Sequence, residues 1–164
     1  MKRFAVLALA TAMIYGCSDE GPWEGPAGTK MGLKREQVER HAILQKVGTN
    51  NVGALIYTSK QAPKLDAQAD GYNYVFSKDD ELCLVQMRFD RSNRASGALL
   101  DDLKTRYGMP DQDDRVARGV VWSSSAFKLS EDIAEISSEF TGREPRAALV
   151  SFSFVNFDTC KATE

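Results

Sequence analysis

Three cysteines and a single histidine are the side chains of this sequence most able to do chemistry. The cysteines are Cys17, Cys83 and Cys160, and the histidine is His41. A histidine acts as a general base only beside a nucleophile and an orienting group, and no Gly-x-Ser-x-Gly frame accompanies this one. His41 follows charged residues on a predicted helix, so we expect it to be solvated or partly packed rather than catalytic.

Two acidic stretches invite a search for calcium binding or glycoside hydrolysis. Residues 111–114 break the EF-hand pattern, because Arg115 stands where an oxygen ligand is required and the glycine is missing. We therefore expect a solvated loop there. Glu135 and Glu139 have the spacing of an exposed strand face, which disfavours a catalytic acid and base pair. We expect no catalytic residue, no metal ligand and no cofactor.

Cys17 follows a segment with the layout of an export signal. A basic start precedes Phe4 to Tyr15, which is almost wholly apolar but shorter than the roughly 20 residues that span a bilayer. The stretch Ile14-Tyr15-Gly16-Cys17 resembles the lipobox of bacterial lipoproteins. The resemblance implies a signal peptide over residues 1–16, cleavage before Cys17, diacylglycerol on its sulfur, and acylation of the new amino terminus, for which we expect palmitate.

The alternative for this segment is ordinary cleavage, which would leave Cys17 as an odd thiol. The small-x-small sites at Ala8-Leu9-Ala10 and Ala10-Thr11-Ala12 would leave a very short apolar core, so we favour the lipoprotein. Several acyl chains, at about 0.8 kcal/mol per buried methylene, hold a soluble domain firmly to a membrane. Ser18 after the cysteine favours the outer membrane over the inner one, by analogy with sorting in enteric bacteria.

Residues 17–30 have the composition of a flexible tether. They are rich in Gly, Pro and acidic residues, which is typical of linkers rather than packed elements. Trp23 has no core to enter within such a segment. We expect it to dock either on its own domain or on a partner.

The remaining cysteines are Cys83 and Cys160. In an oxidising envelope compartment they most simply form a disulfide, and the alternative is two buried free thiols. The closed loop is long, for which the chain-entropy model gives at most about 4 to 5 kcal/mol. One histidine and two paired cysteines exclude a standard zinc site. If Cys83 points with Val85 and Met87 on its predicted strand, its sulfur lies in or near the core.

The charge balance disfavours nucleic acid as a partner. The chain has 21 basic and 23 acidic residues, and losing Lys2 and Arg3 with the signal peptide leaves 19 against 23, a formal charge of -4. Nucleic acids and anionic lipid surfaces both require a basic patch, and none is evident along the sequence. We expect membrane attachment through lipid on Cys17.

Hydrophobic periodicity predicts two helices and six strands. The first helix, at 34–43, has Leu33 and Val38 placed for a hydrophobic staple and Gln37 placed for a capping box. The second helix, at 97–107, is amphipathic and ends at a glycine followed by a proline. The strands are predicted at 52–58, 72–76, 82–89, 119–124, 133–140 and 147–157.

These elements indicate an α+β fold, with helices packed on an antiparallel sheet. Residues 31–164 form one domain, in which 31–92 and 93–164 each contain a helix followed by strands. The two halves share negligible sequence identity, so the repeat is architectural. Residues 42–51 either continue the first helix or begin a strand.

The order of anchor, tether, helix and strands resembles the SmpA/OmlA (BamE-like) lipoproteins. Their helix start, Gly-Met-Thr-x-x-x-Val, is matched loosely by Gly32-Leu33-Lys34 and Val38. Their Gly-Thr-Pro is missing here, and Gly48-Thr49-Asn50 is at best its remnant. The doubled plan also resembles the β-lactamase-inhibitor-protein fold, which is built from two helix-plus-strands units. Small exported bacterial proteins share such features. These resemblances imply a fold and a compartment more than an activity.

We therefore expect a non-enzymatic lipoprotein on the periplasmic side of the bacterial envelope that binds another envelope protein. The predicted partner surface is the loop Ser59 to Asp70, including Pro63, together with Tyr72 and Tyr74, because functional contacts concentrate on long loops held by strands. The alternative is a periplasmic inhibitor or immunity protein that blocks a secreted hydrolase, by fold resemblance alone. An enzyme, the third hypothesis, would require a pocket with convergent polar groups.

Overall fold

The computed structural model describes residues 20–65, 67–90, 92–114, 119–124, 129, 132–140 and 147–161. The predicted signal peptide over 1–16 and the predicted lipidation of Cys17 lie outside these residues. The helices in the described chain are α1 Arg35–Glu39 and α2 Ala95–Tyr107, and short 3-10 turns occur at Pro26–Gly28 and Phe157–Thr159. The strands are β1 Gln45–Thr49, β2 Leu55–Ser59, β3 Gly71–Phe76, β4 Leu82–Arg88, β5 Gln112–Asp114, β6 Gly119–Ser123, β7 Ile133–Phe140 and β8 Ala147–Phe154.

The strands of the described chain form one sheet of eight in the order β1-β2-β3-β4-β8-β7-β6-β5. Every neighbouring pair is antiparallel. The first four strands form one meander and the last four another, and the two meet where β4 pairs with β8. The predicted antiparallel sheet is thus confirmed, but it carries less helix than expected, since α1 has only five residues.

Local chemistry explains where the helices begin and end. At the start of α1 the Lys34 N–H donates to Gln37 Oε1 at 2.8 Å, and Leu33 and Val38 are both buried, so the capping box and hydrophobic staple form as predicted. α2 ends at Gly108, whose φ of 84° favours glycine. The ambiguous segment 42–51 supplies β1, because pairing with β2 satisfies its backbone hydrogen bonds.

The two faces of the sheet differ in chemistry. One face, here called the covered face, packs against α2 and residues 20–30, and Leu100 and Leu103 of α2 share its buried cluster. The residues that cross the covered face in register are Tyr57, Tyr74, Val85, Phe152, Ile136 and Trp122. The opposite face, here called the open face, carries a small apolar cluster at one end. Elsewhere its side chains are mostly polar, with Val121 and Leu149 as half-buried apolar exceptions.

Cys83 does not lie on the face of Val85, contrary to the prediction. Leu82 and Leu84 pair with consecutive residues of β3, so Cys83 between them is the extra residue of a β-bulge. A bulge interrupts the alternation of side chains along its strand. Cys83 and Leu84 therefore belong to the small cluster on the open face, whereas Val85 belongs to the main core.

The acidic stretch after α2 is not the solvated loop that we predicted. Residues 112–114 form β5, an edge strand paired with β6. Asp111 begins this pairing, since its Oδ2 accepts the N–H of Ser123 at 3.0 Å and the hydroxyl of Ser123 at 2.8 Å. No helix in the described residues has the length and apolar character needed to cross a membrane.

Candidate functional site

Cys83 and Cys160 form the predicted disulfide. Their Cα atoms are 6.4 Å apart, and both residues are buried in the small cluster on the open face with Ala54 and Leu84. Asn50 Nδ2 donates to the Cys160 carbonyl at 2.8 Å. The disulfide thus holds the C-terminal turn across one end of the open face.

A row of uncharged polar side chains crosses the rest of the open face. Thr58, Asn73, Gln86, Ser151 and Ser137 lie side by side on five adjacent strands. Asn73 Nδ2 donates to Gln86 Oε1 at 3.2 Å, and Gln86 Nε2 donates to Ser151 Oγ at 3.1 Å. All five are half-buried rather than fully buried, since α2 packs on the opposite face of the sheet. We call these five residues the polar row.

Charged side chains flank the polar row on both sides. Glu135 and Glu139 alternate with Ser137 along β7 and are exposed, as their spacing predicted. Arg88 follows Gln86 on the same face of β4 and is half-buried. Amides and hydroxyls both donate and accept hydrogen bonds, so the open face can match a polar surface of either sign.

Tyr72 and Tyr74 do not belong to an accessible partner surface, contrary to the prediction. Both are fully buried on the covered face, with ring centroids 6.4 Å apart. The reason is the period of two along β3, which sends the aromatic residues into the core and Asn73 between them to the open face. The signal that could have revealed the polar row is this lone polar residue between two aromatic residues.

The loop after β2 is also less free than predicted. Ala62 and Ala67 are buried, and Pro63 is half-buried. Asp70 ties the end of the loop to the segment before α2, since its Oδ2 accepts the Asp90 N–H at 2.7 Å and Asn93 Nδ2 at 2.8 Å. These hydrogen bonds lower the pKa of the Asp70 carboxyl below its ordinary value, and the bond from the Asp90 backbone has the larger effect.

Residues 20–30 pack on the domain, which corrects the prediction of a flexible tether for this part of 17–30. Trp23 is only 7% exposed, and Ala27 and Thr29 are fully buried. The Trp23 N–H donates to the Gly28 carbonyl at 3.0 Å, and its ring meets the His41 ring edge-on at 5.7 Å. We expected Trp23 to dock either on its own domain or on a partner, and the structure shows it docked on its own domain.

The glycines of this segment serve close packing. Gly28 has a φ of +72°, and a Cβ built there would overlap Lys64. This closeness lets the Lys64 N–H donate to the Ala27 carbonyl at 3.1 Å. Lys64 Nζ also lies 3.5 Å from Glu24 Oε2 on the surface. A composition typical of linkers here permits a tight turn against the loop after β2.

A cavity of about 460 Å³ is lined by this segment, by α2 and by the covered face. Met87, Phe152 and Phe154 contribute apolar side chains to its lining, and Asp102 and Arg106, which form an ion pair, contribute charged ones. The described lining contains no Ser, Cys or His. Across the described residues, no group of three or more His, Cys, Asp or Glu side chains is placed to hold a metal ion.

Comparison of the chain with family models, curated proteins and solved structures finds no match. The resemblances to BamE-like lipoproteins and to the β-lactamase-inhibitor-protein fold therefore stay predictions, and the candidate site rests on its own geometry.

Proposed function

We propose that the protein is a non-enzymatic lipoprotein of the bacterial cell envelope that binds another protein through the open face of its sheet. The observation that carries this proposal is the polar row, a continuous line of amide and hydroxyl groups across the middle of the sheet. Its members are accessible without any rearrangement of the fold, because neither α1 nor α2 packs over the open face.

The size of the open face suits a protein partner. Seven strands of five to eight residues and one of three residues, at about 3.3 Å per residue and about 4.8 Å apart, present roughly 700 Å². A standard interface buries about 800 Å² on each partner. Such interfaces are about as polar as the rest of a protein surface, which agrees with the amide and hydroxyl groups of the polar row and with its charged flanks.

Two features support the envelope as the compartment. The Cys83–Cys160 disulfide is a structural one, and such bonds are rare where thiols are kept reduced. The lipobox-like residues before Cys17 supply the anchor, with the outer membrane favoured over the inner one. The anchor holds the domain on the periplasmic side of that membrane.

Affinity capture with matched surface variants tests the proposal. The acylated protein would be crosslinked in its native cells and purified as wild type, Gln86→Arg, Ser151→Arg and Thr105→Arg. Thr105 is exposed on α2, away from the open face, so its variant controls for the added charge. We expect one protein to accompany the wild type and T105R, and to be lost from Q86R and S151R while the urea midpoints stay equal.

Equal recovery with all four proteins would show that the open face is not the interface. Absence of any reproducible partner from the wild type would contradict the binding function itself.

A second candidate is an inhibitor or immunity protein, favoured by the strand order. Each of the two meanders follows one helix, and they join through β4 and β8, which is the plan expected of two tandem helix-plus-strands units over 31–92 and 93–164. Assay of the captured partner separates the candidates. A secreted hydrolase whose activity falls on addition of this domain would favour the inhibitor, and a partner without such activity would favour the first proposal.

A further inference from the structure

The described chain begins at a defined place on the domain surface. Residues 20–22 are exposed, whereas Trp23 after them is buried. The Glu20 carbonyl is hydrogen-bonded with Nε2 of His41, just beyond α1. Cys17 lies three residues before Glu20, and three extended residues reach about 11 Å at most. A lipid on Cys17 is therefore held close to the His41 region of the domain.

Exposed apolar side chains cluster at the same end of the sheet. Ile43 stands two residues before β1 and is 73% exposed, and Leu65 lies in the loop that leaves β2 after Ser59 and is 72% exposed. The antiparallel register puts the start of β1 opposite the end of β2. Val47, 65% exposed, continues this surface along β1, the edge strand.

Basic residues lie close to these apolar residues along the chain, before and within β1 and in the loop after β2. They are Arg40, Lys46, Lys60 and Lys64, and all four are exposed. Lys64 keeps its ion pair with Glu24, and Lys60 Nζ lies 3.5 Å from the Asp70 carbonyl. Apolar residues that enter the headgroup region, ringed by lysine and arginine, are what an anionic bilayer surface binds.

The remaining large apolar residues exposed in the described chain lie at the opposite end of the sheet. Val155 directly follows β8, at the end where Ile133 of β7 pairs with Phe154. Met109 follows Gly108, whose carbonyl accepts the Trp122 Nε1–H at 2.9 Å near the Ser123 end of β6. They provide matched controls for the cluster near the chain start.

We infer that the domain rests directly on an anionic lipid bilayer through a basal patch, composed of Ile43, Val47 and Leu65 with Arg40, Lys46, Lys60 and Lys64. The inference builds on the proposed lipid anchor at Cys17. The packed N-terminal segment leaves too short a free chain for the domain to stand away from the membrane. The short span and the composition of the basal patch both point to the same surface.

Tryptophan scanning of the vesicle-bound protein tests the basal patch. Full-length acylated protein would be reconstituted into vesicles of phosphatidylethanolamine and phosphatidylglycerol, with and without bromine on the acyl chains. The variants are Ile43→Trp and Leu65→Trp, with Met109→Trp and Val155→Trp as controls. Trp23 and Trp122 give every variant the same background, and all four substitutions are at exposed positions.

We expect brominated lipid to cause an extra loss of fluorescence in I43W and L65W, and no loss beyond that of the wild type in M109W and V155W. Lys46→Glu combined with Lys60→Glu should reduce the extra loss in I43W. Equal quenching in all four variants would overturn the basal patch. So would the absence of quenching above that of the wild type in protein that floats with the vesicles, and in both cases the lipid anchor at Cys17 would stand. Protein that fails to float would overturn both, whereas partner capture reports on the open face separately.

Discussion

Trp23 docks on the domain a segment whose composition predicts a flexible linker. Its neighbours are the Gly, Pro and acidic residues of a linker, yet its ring is buried and its backbone is bonded to Gly28. Composition could not predict this docking, because the receiving surface is supplied by His41 and by the loop that contains Lys64. Those residues are close in the fold and distant along the chain.

Replacing Trp23 with alanine should lower the free energy of unfolding by about 3 kcal/mol, as expected for a large buried aromatic side chain. Leu65→Ala is the control, since that side chain is 72% exposed and should change stability by less than about 0.5 kcal/mol. Urea denaturation measures both. If the two variants were equally stable, residues 20–30 would be a free tether.

The contribution of Asp70 to stability should depend on pH. Its two hydrogen bonds lower its pKa below the ordinary 3.8, so its stabilising contribution is present above pH 3.8 and is lost as the pH falls through the lowered value. Asp70→Asn should therefore be less stable than the wild type near neutral pH, with the difference vanishing in acid. An NMR titration should find the carboxyl pKa below 3.8 and raised in Asn93→Ala. A wild-type value at or above 3.8 would refute this.

At the level of helices and strands, hydrophobic periodicity was sufficient to predict an element wherever its apolar residues face the core in the structure. β7 runs over 133–140 as predicted, and α2 spans Ala95–Tyr107 against a predicted 97–107. Prediction failed where pairing decides the outcome. β5 is acidic and has no apolar alternation, so only its bonds to β6 make it a strand, and the bulge at Cys83 has no signal in an alternating sequence.

Two glycines provide an opposed pair of tests for the N-terminal segment. Gly28→Ala places a Cβ against Lys64 at a φ of +72° and should cost about 2 kcal/mol. Gly97→Ala, in α2 with nothing within 4 Å of the new Cβ, should stabilise by up to about 1 kcal/mol. Thermal or urea unfolding of the two variants should shift in opposite directions. Shifts of the same sign would contradict the tight approach of the segment to Lys64.

The disulfide should stabilise the domain through a long loop, as its partners are 77 residues apart. The double variant Cys83→Ala with Cys160→Ala should lose about 2 to 5 kcal/mol. Hydrogen exchange should also quicken in residues 156–161, which the bond holds against the open face, and stay slow in β7. Urea unfolding and exchange that match the wild type would remove the structural role assigned to this bond.

At the scale of the whole molecule, the fold assembles surfaces from residues that are separated in sequence. The polar row draws on β2, β3, β4, β7 and β8, and the basal patch joins Lys46 to Lys60 and Lys64. The sequence therefore predicted the antiparallel sheet and the disulfide that the structure shows, whereas the predicted export signal lies outside the described residues. It placed the partner surface on Tyr72 and Tyr74, which are buried. Strand register was the missing information, since it decides which side chains share a face.

We propose that the open face binds a protein while lipid on Cys17 holds the domain in the envelope. The most direct test installs a photo-crosslinking amino acid at Ser151, in the polar row, or at Thr105 on α2, in acylated protein in its native cells. Mass spectrometry then identifies the adducts. We expect one discrete protein adduct from Ser151 that is absent from Thr105. No protein adduct at Ser151, or the same adducts from both positions, would contradict it.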